Sequence, residues 1–326
     1  MPDADRRRVC IYGAGAVGGN FAVRLARAGH HVSVVARGAH LAAIRAQGLT
    51  MITGEDRLTV AIAASDDPRD LGEQDIVLTT LKAHDLPDMA ARIAPLLGEA
   101  TPVVFAQNGV PWWYADGLGA ERPVPPDLSI LDPGGAIRAA IGPSRVIGGV
   151  IYSSNDLSAP GVVLNNSPHR NRLIVGEIDD AMTDRIAMIR HLLTAAGIDS
   201  PPTGDLRAKI WDKLIANLRV SILAFLTERT SREVFDDPDL RPIVDRLGQE
   251  AQAIAAAHGV DCTLDEGGPA PGHKSSMLQD YERGRRQEIA PLVTLPIAFA
   301  RAAGIATPTL DTIGALVASK ARRPVA

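Results

Sequence analysis

Lysine is scarce in this chain, which holds 29 Arg but only Lys82, Lys209, Lys213, Lys274 and Lys320. Arginine cannot release a proton near neutrality, whereas an ammonium beside apolar surface can serve as a general acid. Each remaining lysine is therefore a candidate for proton chemistry. Lys213 is the best placed: Asn217 follows at i+4, and Ser221 extends the same helix face. The surrounding segment is otherwise apolar enough to be core, with Ile210, Leu214, Leu218, Ile222 and Phe225. The plain alternative is a lysine snorkelling to solvent. Lys82 closes the run Thr79-Thr80-Leu81-Lys82, and Lys320, in a polar tail, reads as a stray. Two further polar stretches, 273–280 and 285–289, have ordinary readings when taken singly. Ser275 or Ser276 would start a helix, and Glu288 would be a solvated first-turn acid.

The elements that must position these groups begin with Val-Cys-Ile-Tyr-Gly-Ala-Gly-Ala-Val-Gly-Gly at residues 9–19, an apolar strand running into Gly-x-Gly-x-x-Gly. Gly13 permits the tight turn, Gly15 leaves room for a pyrophosphate, and Gly18 lets the next helix pack close to the sheet. That helix, expected over 16–28, would aim its N-terminal N–H groups at phosphate. A second strand, 32–36, ends in Arg37, about 20 residues on, where an NAD site would carry an acid for the ribose 2′-hydroxyl. Arginine there suits a 2′-phosphate, so the motif predicts NADP(H).

Alternation continues with a helix at 39–47, strands at 49–53, 58–63 and 75–81, a helix at 86–97 and a strand at 102–106. This pattern predicts an α/β, doubly wound parallel sheet with ligands beyond the strand ends, where Lys82 and Gln107-Asn108-Gly109 stand. A Gly- and Pro-rich stretch, 117–135, reads as a long loop. Strands at 145–153, 161–164 and 172–176 are expected to extend the first domain in an antiparallel portion, before a helix at 184–196. Residues 200–204 read as a linker, and the pattern beyond is helical: 205–227, 238–258, 272–285, 288–303 and 307–319. The expected domains are thus 1–200 and an all-α 205–326.

A net charge of −4 without a basic stripe excludes a nucleic-acid partner. No apolar run is long enough for a membrane span or a signal peptide after Arg6-Arg7-Arg8. Two cysteines, Cys10 and Cys262, fit a reducing cytoplasm and no disulfide framework. No His or Cys spacing marks a metal site, and Asn165-Asn166-Ser167, a glycosylation triplet, has no consequence in a cytosolic chain.

The sequence resembles the ketopantoate reductase (2-dehydropantoate 2-reductase) family along nearly its whole length. The carriers are Gly13-Ala14-Gly15-Ala16-Val17-Gly18-Gly19, Ala36-Arg37-Gly38-Ala39-His40-Leu41, Thr80-Leu81-Lys82, Gln107-Asn108-Gly109-Val110, residues 211–217 (Trp-Asp-Lys-Leu-Ile-Ala-Asn), 275–280 (Ser-Ser-Met-Leu-Gln-Asp) and Glu288-Ile289. The resemblance implies an N-terminal Rossmann domain, a helical domain of the 6-phosphogluconate-dehydrogenase type and an active site in the cleft between them. It implies NADPH-dependent reduction of a 2-oxo acid, with Lys213 as general acid and Glu288 on the substrate hydroxyl. Gly13, Ala14, Gly15, Ala16, Val17, Gly18 and Arg37 would bind the cofactor. Lys82 and Asn108 match positions near the nicotinamide and its ribose, while Asn217 and Ser276 match substrate-binding positions. A homodimer is an analogy from such enzymes.

Departures from the family pattern bear on the substrate. Ser221-Ile222 stands where Asn-Pro is common, and Ala290, Val293 and Thr294 replace Asp and an Asn-Gly pair. Ser221 can still donate a hydrogen bond. Trp112-Trp113-Tyr114 would either line the cleft or form a packing face. The alternatives are a bulkier 2-oxo or 2-hydroxy acid, as in the related D-mandelate dehydrogenases, or a non-catalytic NADP-binding redox sensor.

Overall fold

The computed structural model describes residues 6–262 and 268–322. It divides into two compact units. The first holds the described residues up to Gln107 together with Asp132–Leu206; the second holds Asn108–Leu131 and the described residues from Arg207 onward. The chain therefore crosses three times, whereas the sequence led us to expect one boundary at 200–205.

The first unit contains β1 (Arg8–Tyr12), α1 (Ala16–Arg27), β2 (His31–Val35), α2 (Gly38–Gln47), β3 (Leu49–Thr53), β4 (Asp56–Val60), β5 (Ala63–Ser65), β6 (Ile76–Thr79), α3 (Leu86–Ala90), β7 (Val103–Ala106), α4 (Ala136–Ile141), β8 (Val146–Tyr152), β9 (Asn155–Ala159), β10 (Val162–Asn165), β11 (Arg172–Glu177) and α5 (Asp184–Ala195). A seven-stranded sheet runs β11-β8-β7-β6-β1-β2-β5, parallel except for β11 against β8. This is the expected doubly wound sheet.

The 161–164 strand does not extend that sheet. It is β10, which pairs with β3 and β9 in a separate sheet ordered β4-β3-β10-β9. The reason lies in α1, whose residues Gly18 through Val23 are all buried. A Cβ on Gly18 would collide with Gly13 O in the turn after β1 and stand 2.9 Å from Ile11 of the main sheet, and one on Gly19 would lie 2.5 Å from Val163 of β10. Adjacent glycines thus let α1 be sandwiched between the two sheets.

Asn165 of the dismissed triplet is 2% exposed. Its amide donates to Asn155 at 2.7 Å and to Asn171 at 3.1 Å, and Asn171 also accepts from Asn20 of α1. This polar network joins α1 to the second sheet. The expected helix at 86–97 is broken: only α3 forms, with a separate short turn at Ala94–Leu96, because Pro95 cannot donate in a continuing helix.

The second unit contains α6 (Leu206–Ala216), a π-helical segment Asn217–Ser221, α7 (Ile222–Thr227), α8 (Ser231–Asp236), α9 (Arg241–Ala257), α10 (Ser276–Glu282), a second π-helical segment Ala290–Thr294, α11 (Leu295–Ala302) and α12 (Pro308–Ala321). Trp112, Trp113 and Tyr114 are buried here. Trp211 Nε1 donates to the Tyr114 hydroxyl at 2.8 Å, and both rings meet Phe299 edge-on. Arg207, 1% exposed, donates to Tyr114 O at 2.9 Å. The aromatic run is therefore a packing face, which is why residues 108–131 cluster with the helices.

Lys320 is no stray. Its ammonium donates to Phe225 O at 2.8 Å and Leu226 O at 3.1 Å, capping α7. Cys10 and Cys262 are both buried, and burial pushes the Cys10 thiol up to about 12. Among the described residues no helix is long and apolar enough to cross a membrane.

Candidate functional site

In the first unit the turn after β1 is held from several sides. The Gly13 and Ala14 N–H groups donate to Val35 O at 3.1 and 3.3 Å. Thr80 Oγ1 donates to Gly13 O at 2.7 Å, and His40 Nε2 bonds Ala14 O at 2.7 Å. Gly13 has φ +101°, a conformation that favours glycine. Gly15 is exposed, no atom of the described residues outside its own helix start lies within 4 Å of where its Cβ would stand, and as N-cap of α1 it offers no side chain to the helix start. The open space at Gly15 and the uncapped N–H groups of Ala16, Val17 and Gly18 fit a pyrophosphate.

Arg37 caps the start of α2 and is exposed, with its guanidinium 3.7 Å from Asp85. Lys82 is half-buried where β6 ends, and Asp85 closes the turn that follows. Because β1 lies between β2 and β6, the segments carrying Arg37, the glycine turn and Lys82 leave the sheet side by side. Thr80, His40 and Asp85 have no role in the sequence reading. Their only signals were the polar strand end at 79–82 and the Arg37–His40 run.

In the second unit Lys213 is half-buried in the last turn of α6, and Asn217 and Ser221 begin and end the first π segment. Ser221 Oγ donates to Asn217 Oδ1 at 3.3 Å. Arg219, between them, is buried against α9, where a Cβ on Gly248 would stand 2.8 Å from its stem. Ser275 is the N-cap of α10 through Leu278 N and also donates to Ser221 O at 3.4 Å. Its exposed neighbour Ser276 is thereby held beside the π segment.

Glu288 is half-buried just before the second π segment, which packs against the first. Pro291 stands in the first turn, where no intrahelical acceptor is lost, whereas Pro296 removes an i→i−4 donor just beyond the segment, which accounts for widening there. The 108–110 turn joins the same place: Val110 N donates to Pro291 O at 3.0 Å, and a Cβ on Gly109 would stand 2.5 Å from that oxygen. Asn108 is thus brought to the helical unit with Lys213, Asn217, Ser221, Ser276 and Glu288. Single-turn π segments recur at functional sites, and two meet here. Of the departures, Ser221 and Ala290 are half-buried and Thr294 is exposed. Val293 is 2% exposed and packs on Gly314 of α12, so that exchange belongs to the core.

A doubly wound sheet opened by a glycine-rich phosphate cradle, with a separate helical unit, defines the class of two-domain dinucleotide-binding oxidoreductases. Residues 9–180 match the family described as ketopantoate reductase PanE/ApbA, and residues 205–321 match its C-terminal family. The chain belongs to the ketopantoate reductase family, whose members are nicotinamide-dependent oxidoreductases. It is 40% identical over 317 residues to a 2-dehydropantoate 2-reductase of Mesorhizobium japonicum, covering 95% of this chain and 96% of that one. It is similar to a crystal structure described as a ketopantoate reductase from Ralstonia solanacearum MolK2, with TM-score 0.86, 35% identity and 97% and 98% of the two chains covered. D-mandelate dehydrogenase, solved with NADH and anilino(oxo)acetate, shares the fold at TM-score 0.79 and 19% identity, covering 96% and 98% of the two chains.

Proposed function

We propose that this chain reduces 2-dehydropantoate to pantoate with NADPH, in a cytoplasmic setting. The observation that supports the proposal is the packing of the π segment that follows Lys213, bounded by Asn217 and Ser221, against the π segment that follows Glu288. The 40% identity to a 2-dehydropantoate 2-reductase supports the substrate. Bound NADPH supplies the hydride that adds to C2 of the oxo acid. Lys213 gives its Nζ proton to the carbonyl oxygen and stabilises the developing alkoxide. Glu288 accepts from the product hydroxyl and from the lysine. Asn217 and Ser276 donate to the substrate's oxygens, with Ser221 holding Asn217. Asn108 orients the nicotinamide end, Lys82 contacts its ribose, and Arg37 pairs with the 2′-phosphate.

A second reading keeps this chemistry with a bulkier acid, favoured by the half-buried Ser221 and Ala290 where the family commonly has larger polar groups. The experiment is NADPH oxidation with ketopantoate beside branched and aromatic 2-oxo acids, for wild type and Lys213→Ala. Efficient ketopantoate turnover that Lys213→Ala abolishes, with NADPH still bound, is expected. Preference for an aromatic acid selects the second reading. NADPH binding without turnover of any acid selects a redox sensor, and undiminished turnover by Lys213→Ala removes Lys213 from the mechanism.

A further inference from the structure

We propose that His40 is a positioning residue for dinucleotide binding, which as its Nε2–H tautomer holds the Ala14 carbonyl away from the phosphate cradle and ties that cradle to the helix behind Arg37. The proposal rests on the reading of the Gly13–Gly18 turn as a dinucleotide site.

The tautomer follows from the ring's two partners. Gly161 N–H donates to His40 Nδ1 at 2.9 Å, so Nδ1 holds a lone pair. The proton of a neutral ring is then on Nε2, which donates to Ala14 O at 2.7 Å. An imidazolium would set its Nδ1–H against the Gly161 N–H, donor facing donor. Burial also favours the neutral ring, lowering its pKa from 6.5 against the opposing pull of the Ala14 carbonyl. No titratable group lies in the touching segments 13–16 and 159–162, nor in β5, which packs on α2. On α2 itself the charges are Arg37, exposed, and Arg45, which donates to Ala64 O.

The position explains why such a bond matters. Gly13 O and Ala14 O are the electronegative groups at the head of the turn, and a diphosphate must approach N–H groups only a few residues away. Thr80 covers the first carbonyl and His40 the second. His40 is also the third residue of α2, directly after the Arg37 cap, so one ring links the pyrophosphate turn, the arginine's helix and the β9–β10 turn at Gly161. Gly161 has φ +75°, and a Cβ there would stand 3.0 Å from Ala43 of α2. That closeness is what places its N–H on the ring.

The test compares full-length wild type, His40→Phe and His40→Gln. NADPH and NADH dissociation constants are measured by fluorescence titration at pH 8, without any oxo acid, beside urea unfolding midpoints. His40→Phe, which keeps a ring but makes neither bond, is expected to weaken both dinucleotides about tenfold. His40→Gln, which can donate and accept, recovers most of that loss. The wild-type constant should also weaken as pH falls through the lowered His40 value, which lies below 6.5, more than in His40→Gln.

Equal affinities for wild type and a folded His40→Phe would overturn the proposal alone. Wild type binding neither dinucleotide would overturn the dinucleotide reading and this proposal together. Nitrogen-15 shifts of the wild-type ring at pH 7 decide the tautomer even where His40→Phe does not fold, and an Nδ1–H ring or an imidazolium overturns the inference.

Discussion

The Ser221 hydroxyl donates to the side-chain carbonyl of Asn217 at 3.3 Å, across the first π segment. That bond commits the amide oxygen, and the proposed function assigns the Asn217 NH2 to the substrate as a donor suited to carboxylate or carbonyl oxygen. Ser221→Ala frees the amide to turn. The expected result is a KM for the 2-oxo acid raised about fivefold, with kcat within about twofold of wild type. Ser221→Thr, which keeps the hydroxyl, should restore the KM. Steady-state kinetics at saturating NADPH read this directly, and unchanged KM in Ser221→Ala would show that the bond does not orient Asn217 for substrate.

Under the proposed function, Arg37 and Asp85 are expected to act on the cofactor preference in opposite directions. The guanidinium lies 3.7 Å from the carboxylate, and a 2′-phosphate on Arg37 would bring like charges together. Arg37→Ala is expected to weaken NADPH about tenfold while leaving NADH within about twofold. Asp85→Asn should tighten NADPH by about two- to fivefold, less at high salt. Titrations with both cofactors at two ionic strengths check this. Equal losses for both cofactors in Arg37→Ala would remove the 2′-phosphate from the argument.

Much of the first unit, and the α6 stripe of the second, was legible because hydrophobic periodicity and glycine chemistry are local. The Gly13–Gly18 turn, the strand ends and the Lys213 stripe all follow from residues within about two helical turns of one another. The second sheet was not legible, since β3 and β10 pair across more than a hundred residues and neither strand announces its partner. The π segments were hidden for a related reason. Pro296 warns of the second, but the first carries no proline and coincides with Arg219 lying across Gly248, a tertiary contact. Helix α8 was missed despite a local signal, the capping box of Thr230 and Glu233. The aromatic run at 112–114 could not be assigned to cleft or core from spacing, because Arg207 and Trp211 decide it from far along the chain.

Gly18 and Gly19 make separate demands on stability. A Cβ on Gly18 meets the Gly13 carbonyl, which is backbone and cannot step aside, whereas one on Gly19 meets a methyl of Val163. Gly18→Ala is therefore expected to cost about 3 kcal/mol or more and to abolish dinucleotide binding. Gly19→Ala should cost less, and Val163→Ala should recover part of that loss by opening space. Urea unfolding of the single and paired variants measures this, and an additive pair would mean that Gly19 and Val163 do not compete for the same volume.

Acid should destabilise the fold through two imidazoles, His30, which is buried, and His40, which is half-buried. Burial lowers the His30 pKa from 6.5, helped by the nearby Arg7, His191 and His31, and burial lowers that of His40 as well. Arg7 N–H donates to His30 Nδ1 at 3.4 Å, and Gly161 N–H donates to His40 Nδ1 at 2.9 Å, so protonation of either ring at Nδ1 displaces a donor. Between the lowered folded values and 6.5 the unfolded chain binds more protons than the folded one. Stability therefore rises with pH across that window, is fully present above 6.5, and is lost as pH falls through the folded values. The urea midpoint should be lower at pH 5.5 than at pH 7.5, and the difference should shrink when His30→Gln and His40→Gln are combined. An undiminished difference in that double variant would assign the acid sensitivity to the carboxylates instead.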